Sequence, residues 1–297
     1  MKLFEGLGVA MITPFKSDRS VDFKALEAIS NHIIEGGADY LVVMGTTSEA
    51  VTLNQEEKEA VTSYIVELNN GRIPIVLGIG GNNTQQVTDT IKRTDFEGIS
   101  GILSVAPYYN KPGQKGIVLH FKEISMVSPV PIILYNVPGR TSSNIDAETC
   151  LELAWGLDNI IGIKEASGSL SQVMKIIQGK PENFLLISGD DLMALPIITL
   201  GGSGVISVLG NAFPAEWKEM VSLALKSKIA SARDLHYKYT ELIDLLFVEG
   251  NPAGIKSVMS MLGLCQNNLR LPLTAVSRQT GLKINTSIEN LRLKASV

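Results

Sequence analysis

Residues 40–80 read YLVVMGTTSEAVTLNQEEKEAVTSYIVELNNGRIPIVLGIG. The stretch opens and closes on short apolar runs, 40–45 and 74–80, with one amphipathic segment between them. Neither run alternates cleanly with polar residues, as expected of strands buried on both faces in a parallel sheet. Asn54 followed by Glu57 is a capping-box pattern, so a helix is expected over 54–69. Strand, helix and strand in this order make one parallel β/α unit.

The same unit recurs along the chain. Further apolar runs lie at 8–13, 101–106, 131–136, 160–164, 184–189 and 204–210. Helical periodicity lies between or after them at 21–36, 84–94, 113–126, 146–157, 169–178, 191–200 and 214–225. Eight alternating units point to an α/β fold, a (β/α)8 TIM barrel over 1–224, ahead of a doubly wound sheet. From 225 to 297 the strand runs stop, and 229–246, 252–262 and 274–281 read as helices. A small C-terminal helical extension packed on the barrel is expected.

Composition sets the outer bounds. The 297 residues are 45% hydrophobic and 19% charged, with a net charge of −4. That is globular, and it carries no basic footprint for nucleic acid or an anionic membrane. The mean hydropathy is +0.18, yet no uncharged apolar run reaches the length of about 18 residues that a membrane span needs. No signal-peptide pattern stands at the start. The two cysteines, Cys150 and Cys265, form no CxxC pair, which argues against a disulfide frame or zinc site. A cytoplasmic protein is expected.

A barrel of this type places its site at the C-terminal ends of its strands. The polar residues there are Thr13, 45–49 (GTTSE), Asn82 and Asn83, Tyr108 to Asn110, Tyr135 and Asn136, Lys164 and Glu165, 189–191 (GDD) and Ser207. His32, His120 and His236 all fall inside helix patterns, which weakens metal-hydrolase and Cys-nucleophile readings. Lys164 is the anomaly, because it ends an apolar run. Alternation puts Lys164 and Gly162 on one face and Ile161 and Ile163 on the other. If the isoleucines pack under helices, Lys164 points into the barrel mouth. Burial there favours the neutral amine, a nucleophile for carbonyl carbon. The competing reading is an ion pair with Glu165 or Asp190. Tyr135 shares the inward face with Ile133, either as a proton donor and acceptor or as a packed strand tyrosine. The 45–49 turn offers hydroxyls and N–H groups for a carboxylate, or simply caps the next helix. Arg140, after Pro138 and Gly139, suits a second carboxylate, or is a solvated loop residue. The glycine clusters at 78–81 and 201–204 lack P-loop or Rossmann spacing, so no nucleotide site is assigned.

Together these residues resemble one family. The chain is similar to the dihydrodipicolinate synthases, within the N-acetylneuraminate lyase superfamily of class I aldolases. The resemblance rests on GVAMITPF at 8–15, GTTSE at 45–49, PYYNKP at 107–112, YNVPGRT at 135–141, GIKEASG at 162–168, SGDD at 188–191 and GGSGVISV at 201–208. It implies condensation of pyruvate with aspartate 4-semialdehyde on the route to diaminopimelate and lysine. It implies that Lys164 forms the Schiff base and Tyr135 shuttles protons. Thr46 and Tyr109 complete a hydroxyl relay, Tyr109 reaching in from a neighbouring subunit. Thr47 holds the pyruvate carboxylate, Arg140 the carboxylate of the semialdehyde, and Gly189 and Ile206 line the pyruvate end. No metal or organic cofactor is implied, and a homotetramer built from tight dimers is. Sister aldolases acting on N-acetylneuraminate or 2-keto-3-deoxy sugar acids share the lysine and tyrosine. Arg140 in PGRT favours a carboxylated aldehyde over a sugar. A non-catalytic keto-acid-binding barrel is the rival from another class.

Two departures stand out. Ser48 replaces the second glycine of the family's GTTGE, so strain at a positive φ is expected there. The family's lysine-effector site falls near Ala50, Gln55, Lys58, Asn82, Gln86 and Tyr108. Lys58 and Gln86 put a cation and a neutral amide where sensitive members carry a histidine or similar and a glutamate. Weak or absent lysine inhibition is expected.

Overall fold

The computed structural model describes residues 3–293. The apolar runs become β1 (Gly6–Ala10), β2 (Tyr40–Val43), β3 (Ile75–Gly78), β4 (Gly101–Val105), β5 (Ile132–Asn136), β6 (Ile160–Glu165), β7 (Leu185–Ser188) and β8 (Gly204–Ser207). They pair in chain order, all parallel, and β8 closes on β1. This is the expected (β/α)8 barrel.

Alternation sorts each strand into two cores. Tyr40 and Val42, Ile133 and Tyr135, Leu185 and Ile187 fill the interior. Their neighbours Leu41, Val43, Ile132, Leu134 and Leu186 pack outward under the helices. Gly8 is small for a reason: a Cβ there would stand 2.2 Å from the Tyr40 ring.

The helices are α1 (Phe23–Glu35), α2 (Gln55–Asn69), α3 (Thr84–Arg93), α4 (Gln114–Val127), α5 (Pro138–Thr141), α6 (Ala147–Gly156), α7 (Leu170–Gly179), α8 (Ala194–Thr199) and α9 (Pro214–Leu225). Asn54 Oδ1 accepts from Glu57 N at 2.8 Å, and Asn54 N donates to Glu57 Oε2 at 3.0 Å, so the capping box forms as read. α10 (Ile229–Phe247), α11 (Ala253–Met261) and α12 (Arg278–Leu293) follow. No described helix is long and apolar enough to cross a membrane.

Three details differ from the reading. Strand β1 ends at Ala10, not 13, although Met11, Ile12 and Thr13 are buried. Met11 N still donates to Val42 O at 3.0 Å, but Ile12 N turns to Asn211 Oδ1 at 3.1 Å, so the end of the apolar run marks burial rather than ladder. The last helix begins at Arg278 and runs to Leu293. Ser277 starts it, with its Oγ accepting from Thr280 N, while Glu249 holds Ser277 N and Oγ. Finally, β6 carries a register shift against β5: Ile132 pairs with Ile160 but Ile133 with Gly162. Ile161 is the extra residue, and it packs towards the barrel interior rather than under the helices. Such a bulge resets which face the following residues take.

Candidate active site

Past the bulge, alternation resumes and decides the site. Ile163 is buried in the outer core, and Lys164 lies inward. The register pairs Tyr135 directly with Lys164. Lys164 is 6% exposed, and its Nζ sits 4.3 Å from the centre of the Tyr135 ring. The contact is a cation–π or amine–ring approach, worth about 0.5–2 kcal/mol. Among the described residues no carboxylate forms a salt bridge with Lys164. The two candidate partners are engaged elsewhere. Asp190 accepts from Leu192 N at 2.8 Å. Glu165 points the other way, accepting from Asn136 Nδ2 at 2.9 Å, Gln172 Nε2 at 3.0 Å and Ser167 N at 2.6 Å. The ion-pair reading of Lys164 therefore fails.

Around this amine the strand ends supply the rest. Gly189 follows β7, and a Cβ there would stand 3.1 Å from Lys164 Cε and 2.7 Å from Ala166 Cβ. Only a glycine lets the lysine stem pass. Ile206 on β8 is buried in the same interior cluster. The β2 turn folds into a single 3₁₀ turn at Thr46–Ser48, which leaves Thr46 exposed and Thr47 buried. Ser48 does not take the strained conformation expected of it. The left-handed residues are Met44 (φ 58°) and Glu49 (φ 54°), and Ser48 Oγ donates to Met11 O at 2.7 Å. The serine ties the turn to the loop after β1.

Arg140 sits on α5, a one-turn helix absent from the sequence reading, with Pro138 at its start. It is exposed, and among the described residues its guanidinium has no partner. Tyr109 is 88% exposed on the loop after β4 and holds a φ of 73°. Within one chain the hydroxyls of Thr46, Tyr135 and Tyr109 make no hydrogen bonds to one another. The structure thus brings Lys164, Tyr135, Gly189 and Ile206 together, with Thr47 on the adjoining turn. It leaves Arg140 and Tyr109 facing out.

Several residues around the site escaped the sequence reading. Asn251 Nδ2 donates to Thr47 Oγ1 at 2.9 Å. Lys256, with no exposed side chain, pairs with the equally buried Glu49 and donates to Asn268 O at 2.9 Å. Its Nζ lies 4.1 Å from the Phe15 ring. Burial pushes the Lys256 ammonium down and Glu49 opposes that shift. Arg270 N donates to Glu49 Oε2, and its guanidinium forks onto Glu57 at 2.5 and 2.6 Å. That fork holds the Glu57 carboxyl below its usual range. The segment after α10 therefore braces the turn that carries Thr46 and Thr47. No local pattern marks these pairs, since Asn251 and Thr47 are separated by 204 positions. A cavity of about 760 Å³ lies beside Arg19, Arg270 and Leu271, away from Lys164.

A family model described as the dihydrodipicolinate synthetase family matches residues 3–291. The chain belongs to that family. A 4-hydroxy-tetrahydrodipicolinate synthase from Flavobacterium psychrophilum is 54% identical over 98% of this chain and 99% of its own length. The solved dihydrodipicolinate synthase from Aquifex aeolicus is 39% identical, with a TM-score of 0.94 over 98% of this chain and 99% of that one. The enzyme from Acinetobacter baumannii, solved in complex with pyruvate, is 36% identical with a TM-score of 0.94, covering 97% and 99%. The activity of this member is that of a 4-hydroxy-tetrahydrodipicolinate synthase, a lyase of lysine and diaminopimelate biosynthesis.

Proposed function

We propose that Lys164 carries this activity as a Schiff-base lysine, joining pyruvate to aspartate 4-semialdehyde. One observation supports it most: a buried lysine without an anionic partner, paired in register with Tyr135 at a barrel mouth. The Nζ lone pair adds to the keto carbon of pyruvate, and loss of water leaves a protonated imine. That imine is an electron sink, so the pyruvate methyl gives up a proton and becomes an enamine carbon nucleophile. The enamine carbon bonds to the aldehyde carbon of the second substrate, whose oxygen takes a proton. Attack of that substrate's amine on the imine carbon closes the ring and frees Lys164.

The remaining roles are those that the family resemblance implies. Thr47 binds the pyruvate carboxylate. Gly189 and Ile206 give the keto acid its space. Arg140, exposed and unpartnered, binds the semialdehyde carboxylate through a bidentate contact. Tyr135, Thr46 and a neighbouring subunit's Tyr109 pass protons without placing a further charge beside the imine. The enzyme works as a homotetramer of tight dimers in the cytoplasm, with residues 225–297 as a C-terminal domain. No cofactor enters the scheme.

Trapping tests it. Pyruvate followed by borohydride should add about 72 Da to the peptide bearing Lys164, by capture of the reduced imine. An unmodified peptide from active, folded enzyme would remove Lys164 from the mechanism.

A further inference from the structure

We infer that Asn251, outside the barrel, is a positioning residue that aims the Thr47 hydroxyl at the keto-acid carboxylate. The inference rests on the proposed role of Thr47. A threonine oxygen has one proton to give and lone pairs to receive. The Asn251 amide occupies the receiving side, donating from Nδ2 to Thr47 Oγ1 at 2.9 Å. Among the described residues the Thr47 hydroxyl donates to nothing. Its proton is therefore free for an anionic acceptor from outside the chain. A carboxylate is such an acceptor, and a bond to it is stronger for carrying a charge.

The surroundings protect this contact. Both residues are buried, so water does not compete for the bond. Asn251 Oδ1 has no partner, and no other hydrogen bond pulls the amide away from Thr47. Five residues on, the Lys256–Glu49 pair clamps the same two segments together, so the turn and Asn251 hold their separation. Glu49, in the left-handed conformation, directly ends the 3₁₀ turn that carries Thr47. The specificity of the site for an α-keto acid, rather than a simple ketone, is thus shared between the barrel and the C-terminal segment.

Three variants test it: Thr47→Val, Asn251→Asp and Asn251→Ala, with the Asn251→Ala/Thr47→Val double variant. Steady-state kinetics and melting temperature are the readouts. Asn251→Asp keeps the shape but presents an acceptor, which draws the Thr47 proton back into the protein. It should raise the KM for pyruvate about tenfold while the KM for the semialdehyde stays within about twofold. Asn251→Ala should show the same split more weakly, and it serves alone should the aspartate variant not fold. The double variant should be no worse than Thr47→Val, because residues acting through one bond are not additive. A space-filling role for Asn251 predicts native pyruvate binding in the aspartate variant, and that result would overturn the inference. So would additivity in the double variant. If Thr47→Val itself leaves pyruvate binding unchanged, the role of Thr47 falls first and the positioning role with it.

Discussion

At the scale of single residues, the site is built by exclusion as much as by contact. Lys164 is held by an aromatic face and by the missing side chain of Gly189. Gly189→Ala should place a methyl within 3.1 Å of Lys164 Cε. The lysine must then leave its rotamer, and turnover should fall at least about tenfold, since small misplacements at a reacting centre are costly. Imine trapping over time on the folded variant reads this directly; native trapping rates would show that the lysine has room to spare. Tyr135→Phe keeps the ring beneath Nζ and removes only the hydroxyl. The expected outcome is an unchanged melting temperature with slowed imine formation, by about 10²–10⁴-fold if the hydroxyl is the proton carrier. Lys164 and Tyr135 were legible in the sequence because a polar residue ending an apolar run has few places to go. Asn251 was not, because its role exists only across a contact that spans most of the chain.

Elements carry the stability. The bond between Glu49 and Lys256 joins the β2 turn to α11 with both side chains fully buried. Lys256→Met removes one charge and strands the other, which costs about 3–5 kcal/mol. Adding Glu49→Gln should return part of that loss, and denaturant unfolding of the two variants checks it. α3 and α4 meet at His120, whose Nδ1 contacts Thr84 Oγ1 at 2.9 Å. Burial pushes the His120 imidazole down to about 4. Its free value is 6.5, so the unfolded chain binds the proton first as pH falls. The stabilising contribution is whole above 6.5 and is lost between 6.5 and about 4. Unfolding free energies at pH 7 and pH 5 should converge in His120→Asn, which keeps a hydrogen-bonding group but does not titrate. The strand–helix alternation was readable because every unit repeats one pattern. The bulge at Ile161, the short helix under Arg140 and the start of α12 at Arg278 were not. Each depends on a partner elsewhere: β5, the loop after it, and Glu249.

At the scale of the whole molecule, Tyr109 is exposed while the resemblance makes it part of a neighbour's site. Mixing inactive Tyr109→Phe and Lys164→Ala chains tests that arrangement. In an exchanging symmetric dimer half of the pairs are mixed, and one site in each is intact, so about a quarter of native activity should return. No recovery after verified exchange would place Tyr109 in its own chain's site. The surface holding Lys58 and Gln86 is expected to resist L-lysine. Half-inhibition below about 1 mM would show that the Lys58 cation and the missing charge at Gln86 do not disfavour the effector as the charge argument requires.

The brace on the β2 turn also has an order in time. Glu49 is made early, and Asn251, Lys256 and Arg270 leave the ribosome only after the whole barrel has been made. All eight strands have emerged by Ser207, so the barrel can close around Lys164 while Glu49 still awaits its counter-charge. Until residue 256 arrives, the Glu49 carboxylate lacks the ammonium that pairs with it in the finished fold. The brace on the β2 turn is thus completed by segments made after the barrel that it steadies.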